Sequence, residues 1–367
     1  MRVERAVLRE LELELRAPFR TAGGTLSARR VLLVTLEAEG LEGWAECVAG
    51  VDASSPETVD GAWSALTDHL LGGAVGRRFE RPDQLVAQLR ASDRAPMARA
   101  AVEMAAWDLC ARGEGASLSE KLGGVRDMVP VGVAIGLQDT DDMLLDVVAA
   151  HLAEGYARVK LKIVPGRDVD MLAAVRARFP DAVLWADANA AYTPDDTARL
   201  RLLDDFDLGL IEQPLAVDDF AGHAALQGSL RTPICLDESI RSYEDAERAL
   251  AMDACRVVNL KPGRLGGLDE SVRVHELVGR AGVPAWCGGM LETGIGRAHN
   301  LALASLPGFT LPGDISASRR YWERDLVTPE HEVVDGCMRV PAGPGIGVEV
   351  DVERVRALTT RKAIFAA

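Results

Sequence analysis

The chain of 367 residues has 48% hydrophobic and 26% charged residues, the composition of an ordinary globular protein with room for more than one domain. Its formal net charge of −15 argues against nucleic acid or an anionic membrane as a partner, and no apolar run approaches the ~20 residues of a spanning helix. The six dispersed cysteines include no C-x-x-C pair, which indicates neither a disulfide framework nor a zinc site. We therefore expect a cytoplasmic protein.

The first third of the chain differs in pattern from the rest. Alternating residues at 7–15 and 31–36 predict strands, and the alanine-rich stretch 97–112 predicts a helix. The polar, glycine-rich segment 18–25 is typical of a mobile loop, either an ordinary connection or a lid over a site. We predict an α+β domain at residues 1–125.

A repeat follows. Five short apolar runs each end on a charged residue, namely Lys162, Asp187, Glu212, Asp237 and Lys261, at intervals of 25, 25, 25 and 24 residues. A period of about 25 residues fits one strand, one helix and two short loops. If the strands are parallel neighbours, these charged residues lie together at the carboxyl-terminal rim of a barrel, where catalytic residues sit in such folds.

Three further apolar runs complete the pattern. Residues 129–135, 283–287 and 309–314 raise the number of predicted strands to eight, which closes a barrel over residues 126–319. An open doubly wound sheet is disfavoured because the phosphate-binding glycine motif is missing after the first strand. We expect the tail, residues 320–367, to return to the N-terminal domain.

The three acidic residues of the repeat form a candidate metal site. Asp187, Glu212 and Asp237 would be neighbours at one rim, where carboxylates repel one another unless a cation lies among them. Hard oxygen ligands suit Mg²⁺ or Mn²⁺. The alternative is that each is a solvated loop residue. This alternative is disfavoured because all three acids are in register with the 25-residue period.

The lysines of the repeat are candidate acid–base groups. Lys160 and Lys162 are two residues apart on a strand and so point to the same face, which is the barrel interior. Each should lower the pKa of the other, which would make Lys162 a usable base near neutral pH. Lys261 would face them across the barrel. This pattern indicates removal of a proton α to a carboxylate, with a metal stabilising the resulting enediolate.

Several strings resemble those of the enolase superfamily, in particular its muconate-lactonising subgroup and the N-acylamino-acid racemase and o-succinylbenzoate synthase family. They are residues 160–162 (KLK), 211–215 (IEQPL), 233–239 (PICLDES), 261–264 (KPGR), 286–294 (WCGGMLETG) and 311–314 (LPGD). The resemblance implies a modified TIM barrel, (β/α)7β, with a capping domain formed by the N-terminal third and the C-terminal tail. It also implies Mg²⁺ or Mn²⁺ as the cofactor and a small-molecule carboxylate as the substrate.

The same resemblance implies two reactions on one site. One is 1,1-proton transfer on N-succinylamino acids, with Lys162 and Lys261 as the two bases and Lys160 beside them. The other is dehydration of a cyclohexadiene carboxylate to o-succinylbenzoate, a step of menaquinone biosynthesis, with Lys162 as base and acid. Which of the two the cell uses stays open.

The resemblance also implies substrate-contacting and tuning residues. Phe19 and Arg20 look like part of a capping loop, and Arg264 looks like a residue that lowers the pKa of Lys261. The remaining candidates from the matching strings are Asn189, Glu238, Gly289, Met290 and Asp314. The loop at 48–56 departs from the family pattern by lacking a tyrosine, which puts substrate preference in doubt.

Three other functions compete with these reactions. A dipeptide epimerase usually carries an Asp-x-Asp pair, but Asp314 is followed here by Ile315 and Ser316. A muconate cycloisomerase is disfavoured by the string at 288–294. A non-catalytic scaffold should have lost a base or a ligand, whereas all five are present. The resemblance further suggests a homo-oligomer, either a dimer or an octamer.

Overall fold

A computed structural model describes residues 1–21, 24–50, 57–89 and 95–366, without the side chain of Thr21. Most of the altered loop, residues 51–56, lies outside this part. The strands are β1 (Arg5–Thr21), β2 (Gly24–Ala38), β3 (Leu41–Cys47), β4 (Met128–Pro130), β5 (Val133–Ile135), β6 (Val159–Lys162), β7 (Leu184–Asp187), β8 (Ile211–Glu212), β9 (Ile234–Leu236), β10 (Val257–Leu260), β11 (Ala285–Cys287), β12 (Val327–Thr328), β13 (Val333–Val334), β14 (Cys337–Arg339), β15 (Glu349–Val350) and β16 (Thr359–Ala366).

The helices alternate with the later strands. They are α1 (Val59–Ala65), α2 (Leu71–Ala74), α3 (Pro82–Gln88), α4 (Pro96–Gly113), α5 (Leu118–Leu122), α6 (Asp141–Ala153), α7 (Val169–Arg178), α8 (Thr197–Leu200), α9 (Phe220–Ser229), α10 (Tyr243–Ala251), α11 (Pro262–Leu265), α12 (Leu268–Arg280), α13 (Gly294–Ala304) and α14 (Val352–Leu358). A π-helical segment covers Leu66–Leu70, and 3₁₀ turns cover Pro194–Asp196, Arg201–Phe206 and Ser318–Arg320. In the described residues no helix combines the length and apolar character needed to cross a lipid bilayer.

The core of the larger domain is a parallel sheet. Within the described residues, β5 to β11 pair in chain order as seven parallel strands. Residues 309–314 close the ring through parallel bridges from Phe309 to Ala285 and from Gly313 to Val131. These residues form no regular eighth strand, since Pro312 has no N–H to give to a ladder. The predicted α/β barrel with a capping domain is confirmed, with an irregular closing segment.

The predicted first strand, 129–135, is divided. Its beginning, β4, pairs with β14 of the tail, and its end, β5, pairs with β6 of the barrel. The division falls at Gly132, where a Cβ atom would lie 2.5 Å from the guanidinium of Arg158. A buried arginine beside the strand therefore requires a glycine at this position.

The N-terminal domain is a four-stranded antiparallel sheet in the order β16-β1-β2-β3, which β16 of the tail completes. Helix α4 packs on this sheet so closely at Gly43 that a Cβ atom there would collide with the carbonyl oxygen of Ala105. The long hairpin β1–β2 corrects the prediction of a loop at 18–25, because Phe19 pairs with Leu26 and Arg20 with Thr25; residues 22 and 23 of that range lie outside the described residues. The amide of Leu137 also donates to the Arg20 carbonyl, 2.9 Å away, which fixes this end of the hairpin against the barrel.

Two buried residues of the capping sheet hold the loop that follows β11. Arg29 donates to the carbonyl oxygen of Leu291 over 2.6 Å and also contacts the carboxylate of Glu46. Glu46 in turn accepts from the backbone amide and the hydroxyl of Thr293 at 2.9 and 2.7 Å. The position of one barrel loop is therefore set by side chains of the other domain.

His299 on α13 is a buried link between the domains that should make stability pH-dependent. Its Nε2 donates to the carbonyl oxygen of Trp44 over 2.9 Å, and burial lowers its pKa to about 4. An unfolded chain takes up this proton below about pH 6.5 while the folded protein does not, so stability falls between pH 6.5 and 4 by up to about 3 kcal/mol. We expect His299→Asn to flatten this part of the pH profile of the unfolding free energy, measured by urea denaturation.

The exposed His69, changed in the same way, serves as the control and should leave the profile unchanged. An identical pH slope in wild type and His299→Asn would contradict the assignment of a neutral, buried imidazole.

Candidate active site

The parallel sheet brings the charged residues of the repeat to one end. In its register, Lys162 pairs with Asp187, and Asp187 pairs with Glu212. Asp237 and Lys261 directly follow β9 and β10. All five therefore lie at the carboxyl ends of consecutive strands, because residues in register across parallel strands share one layer.

Lys162 lies in the wall of a central cavity, where only 8% of its surface is exposed. Its Nζ donates to Asp187 Oδ2 and to Asn189 Oδ1, in both cases over 2.6 Å. The side-chain amide of Asn189 donates to Glu238 Oε1 over 2.9 Å. Burial, followed by the charge of Asp237, raises the pKa of Glu238 to about 7. Lys162 is thus held by a carboxylate and an amide that point it at the cavity.

Lys160 lies deeper and is surrounded by carboxylates. Its Nζ is 2.5 Å from Glu212, 2.5 Å from Asp314 and 3.1 Å from Asp187. Burial alone would lower the pKa of this ammonium group. The carboxylates, first Asp314 and then Glu212 and Asp187, outweigh burial and raise the pKa well above its ordinary value. The expectation that the pKa of Lys160 is depressed is therefore wrong, because the surrounding carboxylates raise it.

Lys261 and Arg264 share one carboxylate. Lys261 Nζ lies 2.7 Å from Asp237 Oδ2, and Arg264 Nη1 lies 2.5 Å from Asp237 Oδ1. Burial and the Arg264 charge both lower the pKa of Lys261, but Asp237 outweighs them and the pKa is raised. Arg264 thus lowers the pKa of Lys261, as predicted, but the Asp237 carboxylate between the two cations has the larger effect.

The three acidic residues fit a divalent cation in chemistry. Each is at most 1% exposed, and burial together with the charge of Asp187 raises the pKa of Glu212 well above its ordinary value. Like charges crowded out of water in this way are stabilised by a hard cation. Within the described residues no three acidic, histidine or cysteine side chains stand ready to hold a metal ion. Lysines contact the oxygens of Asp187, Glu212 and Asp237 instead, so these would have to turn from the lysines to become ligands.

Most of the predicted substrate-contacting residues line the cavity, which has a volume of about 310 Å³. The predicted residues in its wall are Phe19, Lys160, Lys162, Asp187, Asn189, Glu238, Lys261, Gly289, Met290 and Asp314. Arg20 is not among them. Its guanidinium forms an ion pair with Asp139 and is nearly half exposed, so the structure directs it away from the cavity.

Sequence reasoning missed two buried residues beneath the lysines. Arg158 stacks 4.0 Å from the centre of the Trp185 ring and donates to Asp314 Oδ1 over 2.6 Å. Asn259 donates to Glu212 Oε1 over 2.8 Å. Both lie two residues before a predicted lysine and therefore on the same face of the strand, a signal that was present in the sequence.

A second, larger space of about 1440 Å³ lies between helices of the capping domain and the barrel, with Trp107, Met97 and Arg273 in its wall. Glu238 and Arg264 are also among its lining residues. Neither Lys162 nor Lys261 is among its described lining residues. Size alone does not identify a site, and the convergent charged groups place the chemistry in the smaller cavity.

A barrel whose strand ends present lysines and buried carboxylates around one cavity, closed by a separate capping domain, is typical of enzymes that act on the hydrogen next to a carboxylate. Two family models match the chain: "Mandelate racemase / muconate lactonizing enzyme, N-terminal domain" over residues 4–123, and "Enolase C-terminal domain-like" over residues 143–355. The chain belongs to the enolase superfamily.

Individual relatives are similar over their whole length. The chain is 49% identical to an o-succinylbenzoate synthase of Geobacillus kaustophilus, covering 99% of this chain and 97% of that protein. It is 50% identical to an N-succinylamino acid racemase of Thermus thermophilus, covering 98% of each. A solved enolase-superfamily structure from Listeria innocua superposes with a TM-score of 0.94 at 40% identity, covering 100% of this chain and 99% of that one.

Proposed function

We propose that this enzyme removes the proton α to a substrate carboxylate in a Mg²⁺-dependent reaction, and that it racemises N-succinylamino acids. The observation that carries the proposal is the placement of Lys162 and Lys261 in the wall of one cavity, each tied to a different buried carboxylate. Two separate amines around one bound carbon allow a proton to leave on one side and return on the other.

The lysines and the acidic residues have different roles in this reaction. The lysine with a neutral amine takes the α-proton, and the opposite lysine, as an ammonium group, returns one to the carbanion. Lys160, which the carboxylate of Asp314 also holds at 2.5 Å, is the cation that would stabilise the negative charge developing on the substrate carboxylate. A divalent cation held by Asp187, Glu212 and Asp237 would supply further stabilisation of that charge.

Dehydration to o-succinylbenzoate is a second candidate, which would place the enzyme in menaquinone biosynthesis. It is supported by the relatives of that name, which include the 49% identical protein of Geobacillus kaustophilus. The reaction needs the same first step, removal of an α-proton, so it draws on the same lysines.

A dipeptide epimerase is less well supported. The carboxylate of Asp314 is engaged by Arg158 at 2.6 Å and by Lys160 at 2.5 Å. Two cations within hydrogen-bonding distance leave this carboxylate poorly available for a substrate amine. The expected homo-oligomer stays a prediction.

The test is an assay of both reactions with and without metal. N-succinyl-L-phenylalanine is incubated with the enzyme and Mg²⁺, and the D-enantiomer is followed by chiral chromatography, while dehydration of the cyclohexadiene carboxylate is followed by ultraviolet absorbance. We expect racemisation that EDTA abolishes and added Mg²⁺ restores. Formation of neither product by the metal-loaded enzyme would overturn the proposal. Dehydration without racemisation would show that the enzyme is an o-succinylbenzoate synthase instead.

A further inference from the structure

Gln213 directly follows Glu212, and its side chain joins the segments that follow β8 and β9. It is fully buried, and it is not among the described lining residues of either cavity. Its Oε1 accepts from the backbone amides of Asp237 and Ser239 at 3.0 and 3.1 Å. Its Nε2 donates to Ser239 Oγ over 2.7 Å and to the carbonyl oxygen of Leu215 over 3.1 Å. Every donor and acceptor of the side-chain amide is therefore used within the protein.

The backbone of Gln213 also contacts both neighbouring strands or their continuations. Its amide donates to the carbonyl oxygen of Cys235 on β9 over 2.8 Å. Its carbonyl oxygen accepts at 2.8 Å from the amide of Ala190, in the segment that follows Asp187 and β7. The φ of Gln213 is 38°, in the left-handed region that is strained for a residue with a side chain. Such a conformation persists only where the surroundings fix it, and these hydrogen bonds do so.

This arrangement fixes the backbone from which the acidic side chains of the site project. Asp187, Glu212 and Asp237 contact lysines and would have to turn about their side-chain bonds to hold a cation. The spacing of their backbones then decides whether all three reach one ion. The sheet alone constrains that spacing weakly here, because β8 consists of only two residues, Ile211 and Glu212. Gln213 extends the connection between the strands by binding the amide of Asp237.

We propose that Gln213 is a positioning residue of the metal site, which sets the spacing of Glu212 and Asp237 and thereby the affinity for Mg²⁺. It does so without contacting the cation or the substrate. This inference rests on the proposed function, because it assumes that the three carboxylates hold a divalent cation.

The experiment measures Mg²⁺ affinity by isothermal titration in Gln213→Met, in which an apolar side chain of similar length replaces the amide. We expect the affinity to fall by about 10-fold or more, the range typical of groups that orient metal ligands.

Gln227→Met is the matched control. Gln227 is also buried, and its Oε1 accepts from the backbone amide of Ile234 over 2.7 Å, at the opposite end of β9 from Asp237. Both variants lose hydrogen bonds to β9 or its continuation and should lower the Tm measured without metal. Gln227→Met should nevertheless bind Mg²⁺ as wild type does, because it leaves the carboxyl end of the strand unchanged.

The outcomes separate a positioning role from a structural one. Equal Mg²⁺ affinity in Gln213→Met and Gln227→Met would overturn the role of Gln213. If Gln213→Met does not fold, Ser239→Ala decides, because it removes only the hydroxyl that accepts from Gln213 Nε2. Weaker Mg²⁺ binding by Ser239→Ala would support the role, and unchanged binding would overturn it.

The same titration distinguishes this inference from the proposed function. A wild-type protein that bound no Mg²⁺ would overturn the metal site and the role of Gln213 together. A wild-type protein that bound Mg²⁺ but formed neither product would overturn the proposed reactions, and the comparison of affinities would still decide the role of Gln213.

Discussion

Replacement of Lys162 or of Lys261 by alanine is expected to lower kcat/KM for racemisation by about 10³-fold, within the range that a general acid or base contributes. Racemisation needs both lysines, whereas exchange of the α-proton with solvent needs only one. Each variant should therefore still exchange the proton of one enantiomer, and the two variants should retain opposite enantiomers. Mass spectrometry of N-succinyl-L- and N-succinyl-D-phenylalanine recovered from D₂O measures this directly.

The control for this pair is Lys362→Ala, which removes an exposed lysine from β16 in the capping sheet. It should leave both racemisation and exchange unchanged. If Lys162→Ala and Lys261→Ala retained exchange of the same enantiomer, the two lysines would not lie on opposite sides of the substrate, and the two-base assignment would be wrong.

Glu212→Gln is expected to abolish metal-dependent catalysis. Glu212 is fully buried between Asn259 and Lys160, and its pKa is raised by burial and by the neighbouring charge of Asp187. The amide preserves the shape of the side chain but removes the charge, so we expect Mg²⁺ affinity to fall and kcat/KM to drop by about 10³-fold or more. Isothermal titration with Mg²⁺ measures the affinity, and the Mg²⁺-induced rise in Tm provides an independent readout.

The exposed Glu244 on α10 offers a matched change, because Glu244→Gln removes one negative charge without touching the cavity of the lysines. It should bind Mg²⁺ as wild type does. Undiminished Mg²⁺ binding by Glu212→Gln would show that the cation binds elsewhere.

The fold class followed from the sequence because its signals are local and repeat. Short apolar runs ending on charged residues at intervals of about 25 residues predict parallel strands, and the register from Lys162 through Asp187 to Glu212 has the expected form. The family followed from specific strings, and the matches over residues 4–123 and 143–355 confirm it. Even so, the closing segment at 309–314 was expected as a strand, and its backbone is too irregular to be one.

Features that depend on contacts between distant segments could not be predicted from the sequence. Residues 18–25 look like a loop in sequence, but those of them that the structure describes, 18–21 and 24–25, extend a hairpin that docks on the barrel near Leu137. Arg20 was assigned to the substrate, whereas it pairs with Asp139, 119 residues further along the chain. Such partners are fixed by tertiary packing, which a local pattern does not encode.

The charge state of Lys160 could not be predicted either, because it is the result of opposing contributions. A neighbouring lysine and burial both lower the pKa of a lysine. The sequence does not show that Asp314, Glu212 and Asp187 all contact the ammonium group of Lys160 and so raise its pKa. Arg297 on α13, a further residue in the wall of the cavity, gave no signal in the sequence, since an arginine in the first turn of a helix is usually solvated. Its burial beside the cavity is visible only in the folded structure.

The most direct test of the central claim, that this site removes a proton α to a carboxylate, is proton NMR of N-succinyl-L-phenylalanine with the wild-type enzyme and Mg²⁺ in D₂O. The account predicts that the α-proton signal disappears at an enzyme-dependent rate while the other signals of the substrate keep their intensity. A constant α-proton signal, with Mg²⁺ and substrate both shown to be bound, would contradict it.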